Sequence, residues 1–202
     1  MEEGIFNHGI YWHSMSTSLF QGGAIAMAYA IIARLLAPRE WRYGGLDVRL
    51  AHGTMIALLA IWNLVFALLS GITGFFTTWG FDAVSSVSLT MNKAMIGSFG
   101  LLAIILMIWI RARYDPDLWE DRSLRATYVV LGLMGSATAI VTGSLGGEAA
   151  LLGTALLWFW ELVRIEPRMP MIMPVWGSVA LIVAALGLIA GAVAFRLRSQ
   201  SA

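Results

Sequence analysis

Five long apolar stretches constrain this chain more than any other feature of its sequence. They lie near residues 14–36, 51–76, 88–110, 124–146 and 175–195. A helix rises about 1.5 Å per residue, so about 20 residues cross the roughly 30 Å hydrocarbon core of a bilayer. Each stretch is long enough to do so, and 59% of the chain is hydrophobic against 12% charged. The sequence therefore predicts an all-α fold, a polytopic membrane helix bundle with five transmembrane helices in a single domain over residues 1–202.

Arginine placement predicts the orientation of this bundle. Arginines lie in the loops after the first and third spans and in the tail after the fifth. Because cytoplasmic loops are enriched in positive residues, we expect the N-terminus outside and the C-terminus inside the cytoplasmic membrane. Segment 149–164 is rich in tryptophan. If it crossed the membrane, the arginine-bearing C-terminal tail would lie outside, so we expect an outer interfacial helix there, with a sixth short span as the alternative. Residues 8–150 would form a four-helix core, and residues 151–202 the interfacial helix and fifth span.

The composition excludes several classes of site and partner. The chain has no cysteine, so disulfides, thiolate metal sites and cysteine-ligated iron–sulfur clusters are excluded. The net charge is +1, and of the 13 basic residues only Lys93 is a lysine. Because no polybasic tract is present, we do not expect nucleic acid as a partner.

Polar residues near the predicted outer ends of the spans are the candidate cofactor-binding site. They are His8, His13, Asn92, Lys93 and Glu148. Polar groups at membrane depth are expensive to bury, so each invites a functional role. We expect one outer pocket that brings His13 near Lys93 and Glu148, with His8 and Asn92 at its rim. The alternatives are an amphipathic entry into the membrane for the two histidines and snorkelling of Lys93 towards water.

The third histidine, His52, lies at the predicted inner end of the second span. The length of a span separates it from His13, so these two candidate metal ligands cannot serve the same haem. We first interpret His52 as a hydrogen-bonding residue at a helix start, with haem ligation beside a methionine or a quinone contact as alternatives. His8 and His13 could share one metal only if residues 7–13 form a loop, because five residues turn about 140° around a helix.

Small residues at every fourth position predict close helix packing. Such stripes let membrane helices approach when lipid and leucine are equally apolar. They comprise Ser18, Gly22, Ala26 and Ala30 in the first span, Gly135, Ala139, Gly143 and Gly147 in the fourth, and Gly187 with Gly191 in the fifth.

Two short motifs resemble those of a poorly characterised bacterial family of four-helix integral membrane proteins. His8, four residues and His13 open the first span, and Thr142-Gly-Ser-Leu-Gly-Gly147 closes the fourth. Members of that family open with H-P-x-x-x-H-F-P and end with G-x-L-G-G. The resemblance covers about residues 8–150. It implies an outer polar cluster built from helix one, the start of helix three and the glycine-rich end of helix four.

The chain also departs from this family pattern. Gly9 replaces the first proline, Ser14-Met15 replaces F-P, and Asn92 and Lys93 stand near the place of a histidine in helix three. If the family's histidines bind haem or another metal, the ligand set here is incomplete.

Two functions compete on this sequence. The first is an integral-membrane subunit of a respiratory or photosynthetic type of electron-transfer complex, which holds or lines a site for haem b or a quinone while partner subunits supply the missing ligands. The second is a structural or assembly subunit without a cofactor. Both predict a hetero-oligomer in which this chain is not an enzyme by itself.

Overall fold

The computed structural model describes residues 2–38, 40–79, 87–115 and 117–149, together with isolated positions between 158 and 187. Its long helices are α1 (Glu2–Leu36), α2 (Val48–Thr73), α3 (Ser88–Tyr114) and α4 (Arg122–Ala149). All four are long and apolar enough to cross a membrane, over Ile10–Leu36, Val48–Phe76, Ser88–Tyr114 and Arg122–Gly146. The predicted multi-pass helical bundle is confirmed to that extent. The fifth span and the interfacial helix fall outside the described residues, apart from isolated positions.

A tight β-hairpin connects α1 to α2. Strands β1 (Arg42–Tyr43) and β2 (Leu46–Asp47) pair antiparallel, with Arg42 opposite Asp47. The turn needs positive φ at both central residues, and Gly44 and Gly45 adopt φ of 57° and 84°. This short connection makes α1 and α2 antiparallel neighbours.

Asp47 ends the hairpin and caps α2. Its carboxylate accepts hydrogen bonds from the backbone N–H of Arg49 at 2.9 Å and of Leu50 at 3.0 Å. The Leu50 N–H does most to hold the pKa of Asp47 below its usual range, with the Arg49 N–H contributing as well. The cap thus satisfies donors that the first turn of a helix leaves open.

The four helices pack around an apolar core. α1 packs against α2 and α4, and α3 packs mainly against α4. Met27, Ile31, Ile56, Met107 and Tyr128 belong to one cluster and are fully buried. Large hydrophobic residues such as Tyr29, Leu58 and Val130 are exposed on the outside, which is the surface a lipid bilayer covers.

Gly135, Ala139 and Gly143, the described part of the small-residue stripe of α4, pack closely against other helices. A Cβ on Gly135 would lie 3.1 Å from Cγ1 of Ile104, and one on Gly143 would collide with the side chain of Gln21. In α1 the close approach occurs one residue beyond the predicted Gly22. A Cβ on Gly23 would lie 2.5 Å from Cδ1 of Trp62, whereas one on Gly22 would have no heavy atom within 4 Å. The buried face of α1 therefore includes Ala30 of the predicted stripe but passes beside Ser18 and Gly22, which are exposed.

Several spans extend beyond their predicted bounds or end in a turn that is not α-helical. α1 begins at Glu2, twelve residues before the predicted span, and α2 continues into a π-helical turn over Gly74–Trp79. A 3-10 turn over Asp117–Trp119 leads from α3 towards α4, and the Asp121 carboxylate accepts from the Leu124 N–H at 2.7 Å. We call the end with the start of α1 the His13 end and the opposite one the arginine end.

Candidate functional site

His13 joins α1 to the last turns of α2. It is only 8% exposed, and its Nδ1 lies 3.0 Å from the carbonyl oxygen of Ser70. Because a carbonyl only accepts, Nδ1 is the protonated nitrogen in this contact. Thr17 Oγ1 lies 2.6 Å from Ser70 Oγ, and Ser16 Oγ lies 3.5 Å from Thr73 Oγ1. These polar contacts hold the two helices together at the His13 end.

Lys93 and Asn92 enter this end from the first turns of α3. Lys93 is 7% exposed and Asn92 is 1% exposed, so both are buried. The Lys93 Nζ lies 2.9 Å from the place that a Cβ on Gly146 would occupy, so the side chain crosses the end of α4 and does not snorkel to water. Lys93 is close enough to His13 for its charge to act on the imidazole. The structure thus brings His13, Lys93 and the end of α4 together.

The remaining predicted members of this cluster behave differently. Asn92 is buried instead of lying at a rim. The side chains of His8 and Glu148 lie outside the described part of the chain, although the backbone of both residues is helical. The pairing predicted for Glu148 stays a prediction.

A cavity of about 340 Å³ lies beside this cluster, between all four helices. Phe20, Leu68, Ile72, Phe75 and Leu101 give it apolar walls, and Ile182 lines it from the C-terminal segment. Its polar lining consists of Thr17, Gln21, Ser70, Thr90, Lys93, Ser98 and Thr142. An apolar chamber with a few polar groups is the usual form of a small-molecule site.

Gln21 is the cavity residue that the sequence interpretation missed. Its side chain packs onto Gly143, where no side chain of α4 stands in its way. A carboxamide within an apolar span is unusual, because burying a polar group in a membrane costs free energy. Its presence in the first span could therefore have indicated a functional role for Gln21. Serines and threonines carry no such signal, because they occur widely at helix contacts in membranes.

His52 lies far from the cavity. It is half-buried near the start of α2, and its Nδ1 donates to the Val48 carbonyl oxygen at 2.7 Å. Ser70, the contact of His13, follows 18 residues later on the same helix, about 27 Å away at 1.5 Å per residue. This is the kind of hydrogen bond that the first interpretation of His52 expects, and the role of His52 stays a prediction.

The described residues contain no group of three or more histidines or carboxylates that could hold a metal ion. α1 is helical throughout residues 7–13, so the loop that a metal shared by His8 and His13 would require is not formed. The metal roles considered for His13 and His52 stay predictions.

No family model, curated protein or solved structure matches this chain. The resemblance of residues 8–150 to the four-helix family therefore stays a prediction.

Proposed function

We propose that this chain is an integral-membrane subunit of an electron-transfer complex and that it lines a quinone site in the cavity at the His13 end. The observation that carries the proposal is the cavity itself, about 340 Å³ with apolar walls and a cluster of hydrogen-bonding groups. This volume lies within the range of about 300–1,000 Å³ typical of small-molecule pockets. A quinone has the matching chemistry, because an apolar ring and tail carry carbonyl oxygens that accept hydrogen bonds.

A quinone fits this cavity better than haem b. An axial ligand of haem is usually histidine, methionine, cysteine or tyrosine. None of the described side chains lining the cavity belongs to these types. A quinone needs only donors, which the Lys93 ammonium, the Gln21 amide and one of the two paired Ser70 and Thr17 hydroxyls supply.

Lys93 and Gln21 have distinct roles in this proposal. The Lys93 ammonium donates to one quinone carbonyl and favours the negative charge that develops on that oxygen during reduction. The Gln21 carboxamide orients the ring from α1. His13 stands behind Ser70 as a positioning residue, since it contacts the Ser70 carbonyl and does not line the cavity.

The chain would act with partner subunits in the cytoplasmic membrane. Electron donors and acceptors would reside on these partners, and this chain would bind and orient the quinone. In the predicted orientation the His13 end faces outside, because the arginine end faces the cytoplasm.

Binding of quinones to the purified full chain tests the proposal. The protein is placed in lipid nanodiscs and titrated with decylubiquinone and a short-chain menaquinone by calorimetry. We expect Lys93→Met to weaken binding by about tenfold to a hundredfold, the usual worth of a hydrogen bond to a charged group. Ala94→Leu should weaken it as well, because Ala94 lines the cavity and leucine fills part of it.

Ala126→Leu is the matched control for Ala94→Leu. It makes the same change on an exposed position of α4, so it should leave affinity unchanged. Absence of binding by both quinones, or equal affinity of wild type and Ala94→Leu, would contradict the proposal.

An assembly subunit without a cofactor is the second candidate. Ser18 and Gly22 form an exposed small-residue patch on α1, and open space surrounds Gly22. Small residues on a lipid-facing surface permit another helix to pack closely. Loss of complex assembly in Gly22→Leu, with no quinone binding in the wild type, would favour this role.

A further inference from the structure

Arg34 is a buried charge at the arginine end, remote from the cavity. It lies in the last turn of α1 and is only 8% exposed. Its guanidinium carbon lies 3.8 Å from the centre of the Trp119 ring, and Nη1 lies 3.1 Å from the place of a Cβ on Gly53. Residues from α1, α2 and the 3-10 turn therefore enclose the guanidinium.

The guanidinium lacks hydrogen-bond acceptors. Its Nε and Nη1 are buried and have no partner in the described part of the chain. Asp47 is the carboxylate whose charge acts on Arg34 among the described residues, and Asp115 lies beside Arg111; both are engaged elsewhere. Asp47 caps α2, and Asp115 pairs with Nη2 of Arg111 at 3.1 Å. A buried charge without a partner is costly, so the site calls for an acceptor from outside these residues.

Further donors without partners surround Arg34. They are Nη1 of Arg111, Nε1 of Trp119 and the hydroxyl of Tyr128, all buried. The Trp119 and Tyr128 rings are in edge contact, with centroids 5.5 Å apart. Arg49 and Arg111 also lie close enough to Arg34 to repel it. Nearly all of these atoms only donate hydrogen bonds, so they need an acceptor. The positive charges also repel one another, so they need a negative charge. An anion meets both requirements.

The cluster lies at the ends of the candidate spans, the level at which lipid headgroups surround a bundle of membrane helices. Arg34 and Arg111 are in the last turns of their helices, within four residues of the span ends at Leu36 and Tyr114. The most abundant anion at that depth is the phosphate diester of a phospholipid. Arginine is well suited to phosphate because its planar donors match the oxygens.

We propose that Arg34, Arg111, Trp119 and Tyr128 bind the phosphate oxyanion of an anionic phospholipid at the arginine end of the bundle. Nε and Nη1 of Arg34 donate to the phosphate oxygens, and the Trp119 ring supports the guanidinium from one face. The site is independent of the quinone proposal, because it uses none of the cavity residues.

The test uses the purified full chain, stripped of lipid in mild detergent. Native mass spectrometry measures its affinity for phosphatidylglycerol and for zwitterionic phosphatidylcholine. We expect phosphatidylglycerol to bind more tightly, and Arg34→Gln to weaken that binding about tenfold or more, as loss of a charge-assisted contact does. Arg113→Gln, a change of an exposed arginine two residues after Arg111, should alter affinity by less than about twofold.

Stability separates binding from a purely structural role. Arg34→Gln removes a buried charge whose Nε and Nη1 have no hydrogen-bond acceptor in the described part of the chain. The lipid-free protein should therefore keep its thermal stability to within the small contribution of the Trp119 contact, while losing the stabilisation that phosphatidylglycerol confers. Equal destabilisation with and without lipid would overturn the proposal. Tyr128→Phe keeps the buried ring and removes only the hydroxyl, and it should lower affinity about threefold to tenfold.

Inorganic phosphate distinguishes the two sources of the oxyanion. If phosphate raises the melting temperature through Arg34 while phosphatidylglycerol shows no preference over phosphatidylcholine, the lipid source is wrong and the ligand is a soluble phosphate. If neither probe binds in an Arg34-dependent manner, the site is refuted.

Discussion

Two adjacent glycines of α1 give a sharp test of how this bundle packs. Gly23 faces α2, where an added Cβ would lie 2.5 Å from Cδ1 of Trp62 and 2.6 Å from Oδ1 of Asn63. Ordinary contacts between such atoms are about 3.5–4.0 Å. Gly23→Ala must therefore separate the helices by about 1 Å or turn the Trp62 ring away. Turning the ring breaks the hydrogen bond from Trp62 Nε1 to the Leu19 carbonyl, which is 3.0 Å long.

The expected magnitude follows from three contributions. Overpacking costs about 1–3 kcal/mol, and the lost hydrogen bond costs about 0.5–1.5 kcal/mol if the ring turns. Alanine regains about 1 kcal/mol through its higher helix propensity. We therefore expect Gly23→Ala to lower the free energy of unfolding by about 0.5–3.5 kcal/mol if the ring turns and by up to about 2 kcal/mol if the helices separate instead.

Gly22→Ala is the internal control, since it is the same substitution one residue earlier on the same helix. Nothing lies within 4 Å of its added Cβ, so only the helix propensity changes. Stability should stay the same or rise by up to about 1 kcal/mol. Reversible unfolding in mixed micelles, followed by circular dichroism, measures both variants. Equal stabilities, or a larger loss for Gly22→Ala, would refute the packing of α1 on α2.

Three further predictions concern the caps, the helix contacts and the topology. Asp47 has a lowered pKa in the folded chain. Its contribution to stability is therefore complete above the ordinary aspartate pKa of about 4 and is lost as the pH falls through the folded value. The protection factor of the Leu50 amide, which corrects exchange for its intrinsic pH dependence, should fall in acid, and Asp47→Ala should remove that fall. Thr17→Val removes the hydrogen bond between the Thr17 and Ser70 hydroxyls, which is 2.6 Å long. It should lower the free energy of unfolding by about 0.5–1.5 kcal/mol in the same micelle assay. An unchanged value would mean that this contact does not stabilise the bundle. Because the chain has no cysteine, single introduced cysteines can report its topology. Cysteines at positions 44 and 200 should react with a membrane-impermeant thiol reagent only from the cytoplasmic side. Labelling of position 200 from outside would mean that segment 149–164 crosses the membrane.

Four membrane helices could be located from the apolar stretches of the sequence alone. The predicted spans at 51–76 and 88–110 differ by only a few residues from Val48–Phe76 and Ser88–Tyr114. The reason is that every backbone polar group must be paired inside a bilayer, so an apolar stretch of about 20 residues has few other folds open to it. The turn glycines and the Asp47 cap follow from equally local requirements.

Only the tertiary structure decides which face of each helix contacts the other helices and which face contacts lipid. The first span is apolar on most sides, so the sequence did not distinguish Gly22, which is exposed, from Gly23, which contacts α2. Lys93 stands near a span end, where snorkelling to water was the alternative expectation, and Arg34 stands near another. In a membrane the hydrophobic effect does not mark the inner face of a helix, because lipid is as apolar as the protein core. Which polar groups meet at the cavity, and which donors surround Arg34, is therefore decided only when the helices pack.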